Sequence, residues 1–408
     1  MKIAVLTLGT QGDVQPFAIL GQALKKQGHQ VTLSTAKNFE ALVKSYDLDF
    51  LPVDADFQEF LNSDEGKKMM KNPFRAKKNL STWVYPMIFN SMKTFYTLSK
   101  ESDRVIFHVK TMADYFADQF PEKMIRANVI PAIEFTREFI NPVFSAFSLP
   151  SFFNGLSYKL SDLGLRMMMR PVHEFRKDAG LPLKFKRPVL PSIYGISEHF
   201  LPKPKDYPLK SHFTGFWTTS STKELDKDIT DFISKGTPPL LITFGSMTFD
   251  TKMDLPNAIN TLSKDLNVRV IVVKGCGFNN TQKLEENPNI KVISSAPYDK
   301  LFPHVKAVIN HGGIGTIAAC LIAGKPFFSC PVLYPVGDQH FWASIGYKKG
   351  VALKPVALKS MTEELLIRKA KRLLATETLY LKSMELSKKI RSENGVEKAI
   401  ELIEANQR

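Results

Sequence analysis

Apolar residues recur along this chain in two arrangements. Short unbroken runs rich in Val, Ile and Leu fall at residues 2–8, 31–35, 50–53, 105–109 and 129–133, and again at 240–244, 268–273, 292–295, 306–309 and 326–332. Runs of this length, apolar on both faces, suit strands of a parallel sheet covered by helices on each side. Between them the spacing widens to that of a helix. Residues 17–24 begin one that ends near Gly28, and residues 317–323 form another, stopped by Gly324 and Pro326. The opening strand, helix and strand imply a right-handed crossover and a doubly wound sheet. The same alternation restarts at residue 240, so the pattern predicts two α/β domains of similar plan.

Composition narrows the class. At 408 residues the chain is too long for one core, and 44% hydrophobic content is ample for two. Proline and turn residues set an expected linker at 206–222, after an N-terminal Rossmann-like domain at 1–205 and before a second at 223–385. No run of about twenty apolar residues exists to span a membrane. The apolar start at residues 3–6 is too short for a signal peptide. Cys276, Cys320 and Cys330 have no metal-ligand spacing and read as buried thiols of a reducing, cytoplasmic compartment.

The net charge of +15 suits an anionic membrane surface, nucleic acid or a solubilising coat. Nucleic acid is disfavoured because no reading motif appears. Two segments concentrate the charge. Lys67, Lys68, Lys71, Arg75, Lys77 and Lys78 interleave with Met69, Met70 and Phe74, with Trp83 close behind. Arg166, Arg170, Arg176 and Lys177 surround Met167, Met168 and Met169. Such segments fit either a peripheral membrane contact or a solvated helix face over a methionine-filled core.

The chemistry concentrates at Asn310-His311-Gly312-Gly313-Ile314-Gly315-Thr316, on a strand-to-helix turn. Glycines there let the backbone approach a ligand and aim N–H groups at it, and the following helix adds partial positive charge. His311 and Thr316 add side-chain donors. The next strand delivers Asp338 and Gln339 to the same sheet edge, so a phosphate cradle gains a carboxylate and an amide. A nucleotide-sugar needs that combination. At the other end, Gly9-Thr10-Gln11-Gly12-Asp13-Val14-Gln15-Pro16 follows the first strand. Its glycine spacing is not a dinucleotide fingerprint. Asp13 lies where open sheets bind ligands, or else caps a helix beginning near Pro16. Asp54-Ala55-Asp56 reads as a solvated turn rather than a metal site. His108 ends a strand, either with a structural partner or near an acceptor.

In order, Ser295-Ala296-Pro297, Leu301-Phe302-Pro303-His304, residues 310–316, Ala323-Gly324-Lys325-Pro326 and Gly337-Asp338-Gln339 resemble the donor signature of inverting glycosyltransferases of the UDP-glycosyltransferase superfamily. The match is nearest the branch of sterol and lipid glucosyltransferases and glycopeptide-antibiotic glycosyltransferases. Asn310 stands where that branch usually has a histidine, and Ile314 where it has alanine. The resemblance implies the GT-B fold, two Rossmann-like domains facing across a cleft, with the C-terminal helix at 386–408 crossing back toward the first. It implies a UDP-sugar donor, with glucose as the hexose, and an apolar acceptor such as a sterol, lipid or polyketide. It makes Asp13 the general base. Gly12, Ser246, Ser295, Ala296, His311, Gly313, Gly315, Thr316, Asp338 and Gln339 would contact the donor, and His108 and Trp83 the acceptor. No metal or other cofactor is expected. A peptidoglycan-precursor glycosyltransferase and a non-catalytic nucleotide-sugar binder are the alternatives.

Overall fold

The computed structural model describes residues 1–54, 80–147, 149–166, 168–245, 251–275, 278 and 281–405. The first half runs β1 (Lys2–Leu6), α1 (Gln11–Lys26), β2 (Gln30–Ala36), β3 (Asp49–Val53), α2 (Tyr85–Glu101), β4 (Arg104–Phe107), β5 (Met124–Asn128), α3 (Asn154–Arg166), α4 (Met169–Asp178), β6 (Ser192–Tyr194) and β7 (Ser211–Phe213). These strands make one parallel sheet in the order β3-β2-β1-β4-β5-β6-β7. Ala4 of β1 sits between Thr32 and Val105, and the central strands are buried on both faces. That burial explains their unbroken apolar runs.

The second half runs β8 (Leu240–Thr243), β9 (Val270–Val273), β10 (Ile290–Ile293), β11 (Ala307–Asn310), α5 (Ile314–Ile322), β12 (Phe327–Ser329), α6 (Gln339–Lys349), β13 (Ala352–Leu353) and α7 (Gly395–Ala405). Its parallel sheet has the order β10-β9-β8-β11-β12-β13. Both sheets reverse winding direction once, between β1 and β4 and between β8 and β11. Such a switch point opens a crevice beyond the carboxyl ends of the two strands. The loop after β1 holds residues 7–10 and leads into the first turn of α1, which carries Asp13; the segment after β4 holds residues 108–112, and those after β8 and β11 hold Gly245 and residues 311–313. The winding alone therefore places Asp13 beside residues 108–112, and Gly245 beside His311.

Several sequence expectations shift. The strand expected at 129–133 is Met124–Asn128. Its centre is Arg126, a cation in a buried strand, paired through Nη2 with Asp114 Oδ1 at 2.6 Å and donating through Nη1 to Ser192 Oγ at 3.0 Å. The expected linker contains β7, which pairs with β6 at the edge of the first sheet. Helix α1 starts at Gln11, and Pro16 lies inside it. Arg176, counted among the surface cations, is fully buried. It holds Asp118 with two nitrogens at 2.8 and 2.9 Å and stacks 4.0 Å from the Phe185 ring centre. The basic segment at 67–78, with Asp56 and Cys276, lies outside the described residues.

Helix α7 packs on α1. Val396, Ala399, Ile400 and Ile403 join Phe17, Leu20 and Leu24 in one buried cluster, and His29 Nε2 lies 2.9 Å from Glu404 Oε1. The last helix thereby ties the chain's end to its first crossover.

Candidate active site

At the first switch point the backbone itself fixes Asp13. Thr10 caps α1, and Asp13 is the third helical residue. The Thr10 N–H donates to Asp13 Oδ2 at 2.8 Å and the Thr10 hydroxyl to the same oxygen at 3.1 Å. Thr7 Oγ1 donates to the Asp13 carbonyl at 2.9 Å. This reciprocal arrangement is a capping box, with the acidic group also favoured by the helix N-terminus. Capping and candidate base are therefore one residue. Gly12 is exposed beside it.

The other oxygen, Asp13 Oδ1, accepts from Lys110 Nζ at 2.7 Å. The pair is lopsided: the Asp13 side chain is 7% exposed and that of Lys110 45%. Burial pushes the Asp13 carboxyl up, but Lys110, with the hydrogen bonds from Lys110 and Thr10, pulls it down further. The net effect lies below the ordinary carboxylate range, so Asp13 is ionised at neutral pH. Sequence reading missed Lys110. It stands after β4, the neighbour of β1, but 97 residues from Asp13 along the chain.

His108, read as a strand-end histidine with either a structural partner or a place near an acceptor, is 2% exposed and meets Phe17 edge-on at 5.5 Å between ring centres. Burial lowers its pKa to about 4. Its ring is a neutral core element behind Asp13. Trp83 lies half-exposed at the head of α2.

The second switch point is built around His311. Its ring fills space that only glycine leaves: a Cβ on Gly313 would lie 2.4 Å from Nε2, and one on Gly245 2.8 Å from Cε1. Gly312, at φ +89°, takes the left-handed turn. Asn310 Oδ1 locks that turn by accepting from the Gly312 N–H and from Ser329 Oγ, both at 2.8 Å. Asn310 thus supports the loop from beneath, fully buried. Burial lowers His311 to about pKa 4, and its Nδ1 has no hydrogen-bond partner among the described residues. Helix α5 begins at once with Gly313 as cap and no side-chain cap bond. The first-turn N–H groups, including those of Gly315 and Thr316, lack intrahelical acceptors. Gly315 is exposed with open space above it, while Thr316 is buried.

Ser295 and Ala296 follow β10 at the same carboxyl edge, Ser295 exposed and Ala296 half-buried. Ser246 lies outside the described residues. Gln339 is turned inward: its Oε1 accepts from the N–H groups of Val332 and Leu333 at 2.8 and 2.9 Å, holding the loop after β12. Asp338 caps α6, and its Oδ2 accepts from Trp342 Nε1 at 3.0 Å. Burial raises the Asp338 carboxyl above its ordinary value. Lys110 opposes that rise and the charge of Asp13 adds to it. The Lys110 charge therefore acts on a carboxyl group of each half, although its ion pair is with Asp13. The halves also touch directly, where the Gly337 N–H donates to the Val143 carbonyl at 2.9 Å.

The arrangement is an anion cradle facing an ionised, capped carboxylate. Residues 3–101 match the family model Glycosyltransferase family 28 N-terminal domain. Over 421 residues the chain is 28% identical to a sterol 3-beta-glucosyltransferase of Arabidopsis thaliana, covering 98% of this chain and 67% of that protein. It is 26% identical over 438 residues to O-mycaminosyltylonolide 6-deoxyallosyltransferase of Streptomyces fradiae, covering 99% and 97%. The glycosyltransferase VinC, solved in complex with DTDP, superposes over the whole of both chains with a TM-score of 0.69 at 17% identity. The protein is a glycosyltransferase with the GT-B fold, and the family 28 match covers residues 3–101 of its first sheet and helices.

Proposed function

We propose that the protein is an inverting, metal-independent glycosyltransferase that moves a hexose, glucose in our reading, from a UDP-sugar to a hydroxyl of an apolar acceptor of the sterol, lipid or polyketide kind. The observation that carries this reading is the pairing of switch points: an ionised, backbone-fixed Asp13 at one sheet, and at the other a His311 over a helix N-terminus whose buried Nδ1 has no hydrogen-bond partner among the described residues.

The diphosphate lies against α5. His311 and the first-turn amides stabilise the negative charge that grows on it as the glycosyl bond breaks. Asp338 lies nearest the sugar. The acceptor hydroxyl attacks the opposite face of the anomeric carbon, and its proton passes to Asp13. Oδ2 stays engaged with Thr10, so Oδ1 takes the proton once Lys110 moves aside. Lys110 has the freedom to do this, being close to half exposed, and its charge already acts on Asp338. Once its ammonium leaves, burial dominates at Asp13 and makes the carboxylate a stronger base.

Lys110→Met tests that step. With the ammonium gone, the Asp13 pKa rises, so the acid limb of the kcat/KM profile moves to higher pH. An unmoved limb in pH-resolved initial rates would remove Lys110 from control of the base. Transfer is also expected to persist in EDTA, because the helix N-terminus and His311 do what a divalent cation does elsewhere. Loss of activity in chelator, restored by magnesium or manganese, would overturn the metal-independent reading.

A further inference from the structure

Helix α3 carries its apolar stripe on the wrong side for a packed helix. A surface helix ordinarily turns that stripe to the core. Here Asn154, Ser157 and Tyr158 face inward and are buried, while Phe152 just ahead of the helix and Leu156, Leu160 and Leu163 within it are 77, 45, 51 and 56% exposed. Spacings of four, four and three align these side chains along one face. Phe147 and Leu149 extend the patch. Single exposed hydrophobics are ordinary, but an aligned set marks an interaction surface.

The stripe has a cationic margin. On a helical projection Lys159 and Arg166 fall along one edge, both exposed. Arg187 lies against the last turn of α3, lining a small cavity with Asp162 and Leu165. Beneath the stripe is a second cavity of about 260 Å³, lined by Phe144, Phe147, Phe153, Leu156, Leu160 and Val336. Val336 is followed by Gly337 and Asp338, so this apolar space ends beside the cleft.

We propose that the outer face of α3 docks on an anionic lipid bilayer. Phe152, Leu156, Leu160 and Leu163 enter the boundary between headgroups and acyl chains, and Lys159 and Arg166 meet the anionic headgroups. A second copy of the chain fits the face less well, because it would set the same cations against each other on a chain of charge +15. The cavity then opens onto the bilayer and admits an acceptor already dissolved in it; that last step rests on the function proposed above, whereas the docking does not.

Co-sedimentation of the full chain with vesicles tests this. Phosphatidylcholine vesicles containing phosphatidylserine should bind it, more weakly as salt rises. Phe152→Ser/Leu163→Ser should lower that partitioning by about tenfold or more. Neither residue lines the cavity, so transfer to a water-soluble phenol should be unchanged. Lys159→Gln/Arg166→Gln should weaken binding to the mixed vesicles and flatten its salt dependence. Binding of Phe152→Ser/Leu163→Ser equal to the parent's overturns the proposal, as does a parent that ignores anionic vesicles. So does a lipid-free dimer that the same double variant dissolves, because a second copy would then cover the face. A chain that binds vesicles through α3 yet transfers no sugar would refute the function and leave the docking standing.

Discussion

Asp13→Asn is expected to lower the rate of sugar transfer by roughly 10²–10⁴ while leaving donor affinity intact. Asparagine keeps a side-chain oxygen for the Thr10 N–H, so the capping box loses its charge but not its geometry. The lysine left without its partner is close to half exposed and is rehydrated, so its orphaning costs about 1 kcal/mol or less. The fold therefore survives, and what disappears is the carboxylate assigned to take the hydroxyl proton in the proposed mechanism. Initial rates beside calorimetric titration with the nucleotide-sugar separate the two effects. Activity within a few-fold of the parent would take Asp13 out of the mechanism. Equal loss of rate and donor binding, with a lowered melting temperature, would make it a helix cap alone.

Asp13 and His311 were legible because each lies on a local motif, a strand run followed by a glycine turn. Local sequence carries such turns whole. Lys110 was not, because nothing near it in sequence marks it. Only the order of strands, with β4 beside β1, brings it to Asp13. The available signal was its place just after a strand, the same address as Asp13. Strand β5 was placed five residues late because Arg126 interrupts its apolar run, and a buried ion pair with Asp114 looks polar to any hydrophobic pattern. Strands β6 and β7 have three residues each, with Ser192, Ser211 and His212 among them, too short for a period of two to emerge.

Helix α3 shows a different limit of sequence pattern. Periodicity identifies an apolar stripe but not its direction, and here the polar residues face inward. Gln339 and His108 make a related point. Both are polar residues in the right region, yet one is spent on the backbone of residues 332–333 and the other is packed against Phe17. Chemical type predicts what a side chain can do; burial and partners decide whether it is free to do it.

His311→Ala is expected to cost roughly 10²–10³ in kcat/KM, with the larger share in kcat. With its pKa near 4, the imidazole is neutral throughout the physiological range and offers one N–H rather than a charge. Its Nδ1 is buried and unpartnered among the described residues, at a standing cost of about 1–3 kcal/mol that a bound diphosphate would remove. The glycines at 245 and 313 leave room for this ring and nothing larger on their own side, so the loop is shaped to hold it. A hydrogen bond to a diphosphate strengthens as the leaving group gains charge, and such an interaction lowers the barrier more than it tightens ground-state binding. His311→Gln returns an N–H donor and should recover part of the loss. The acid limb should stay in place in both variants, since His311 is already neutral above about pH 4 and the limb belongs to Asp13. Rates measured against pH, with UDP affinity alongside, check this. Full activity in His311→Ala would reduce the ring to a packing element. A shifted acid limb would mean that His311, rather than Asp13, titrates in the reaction.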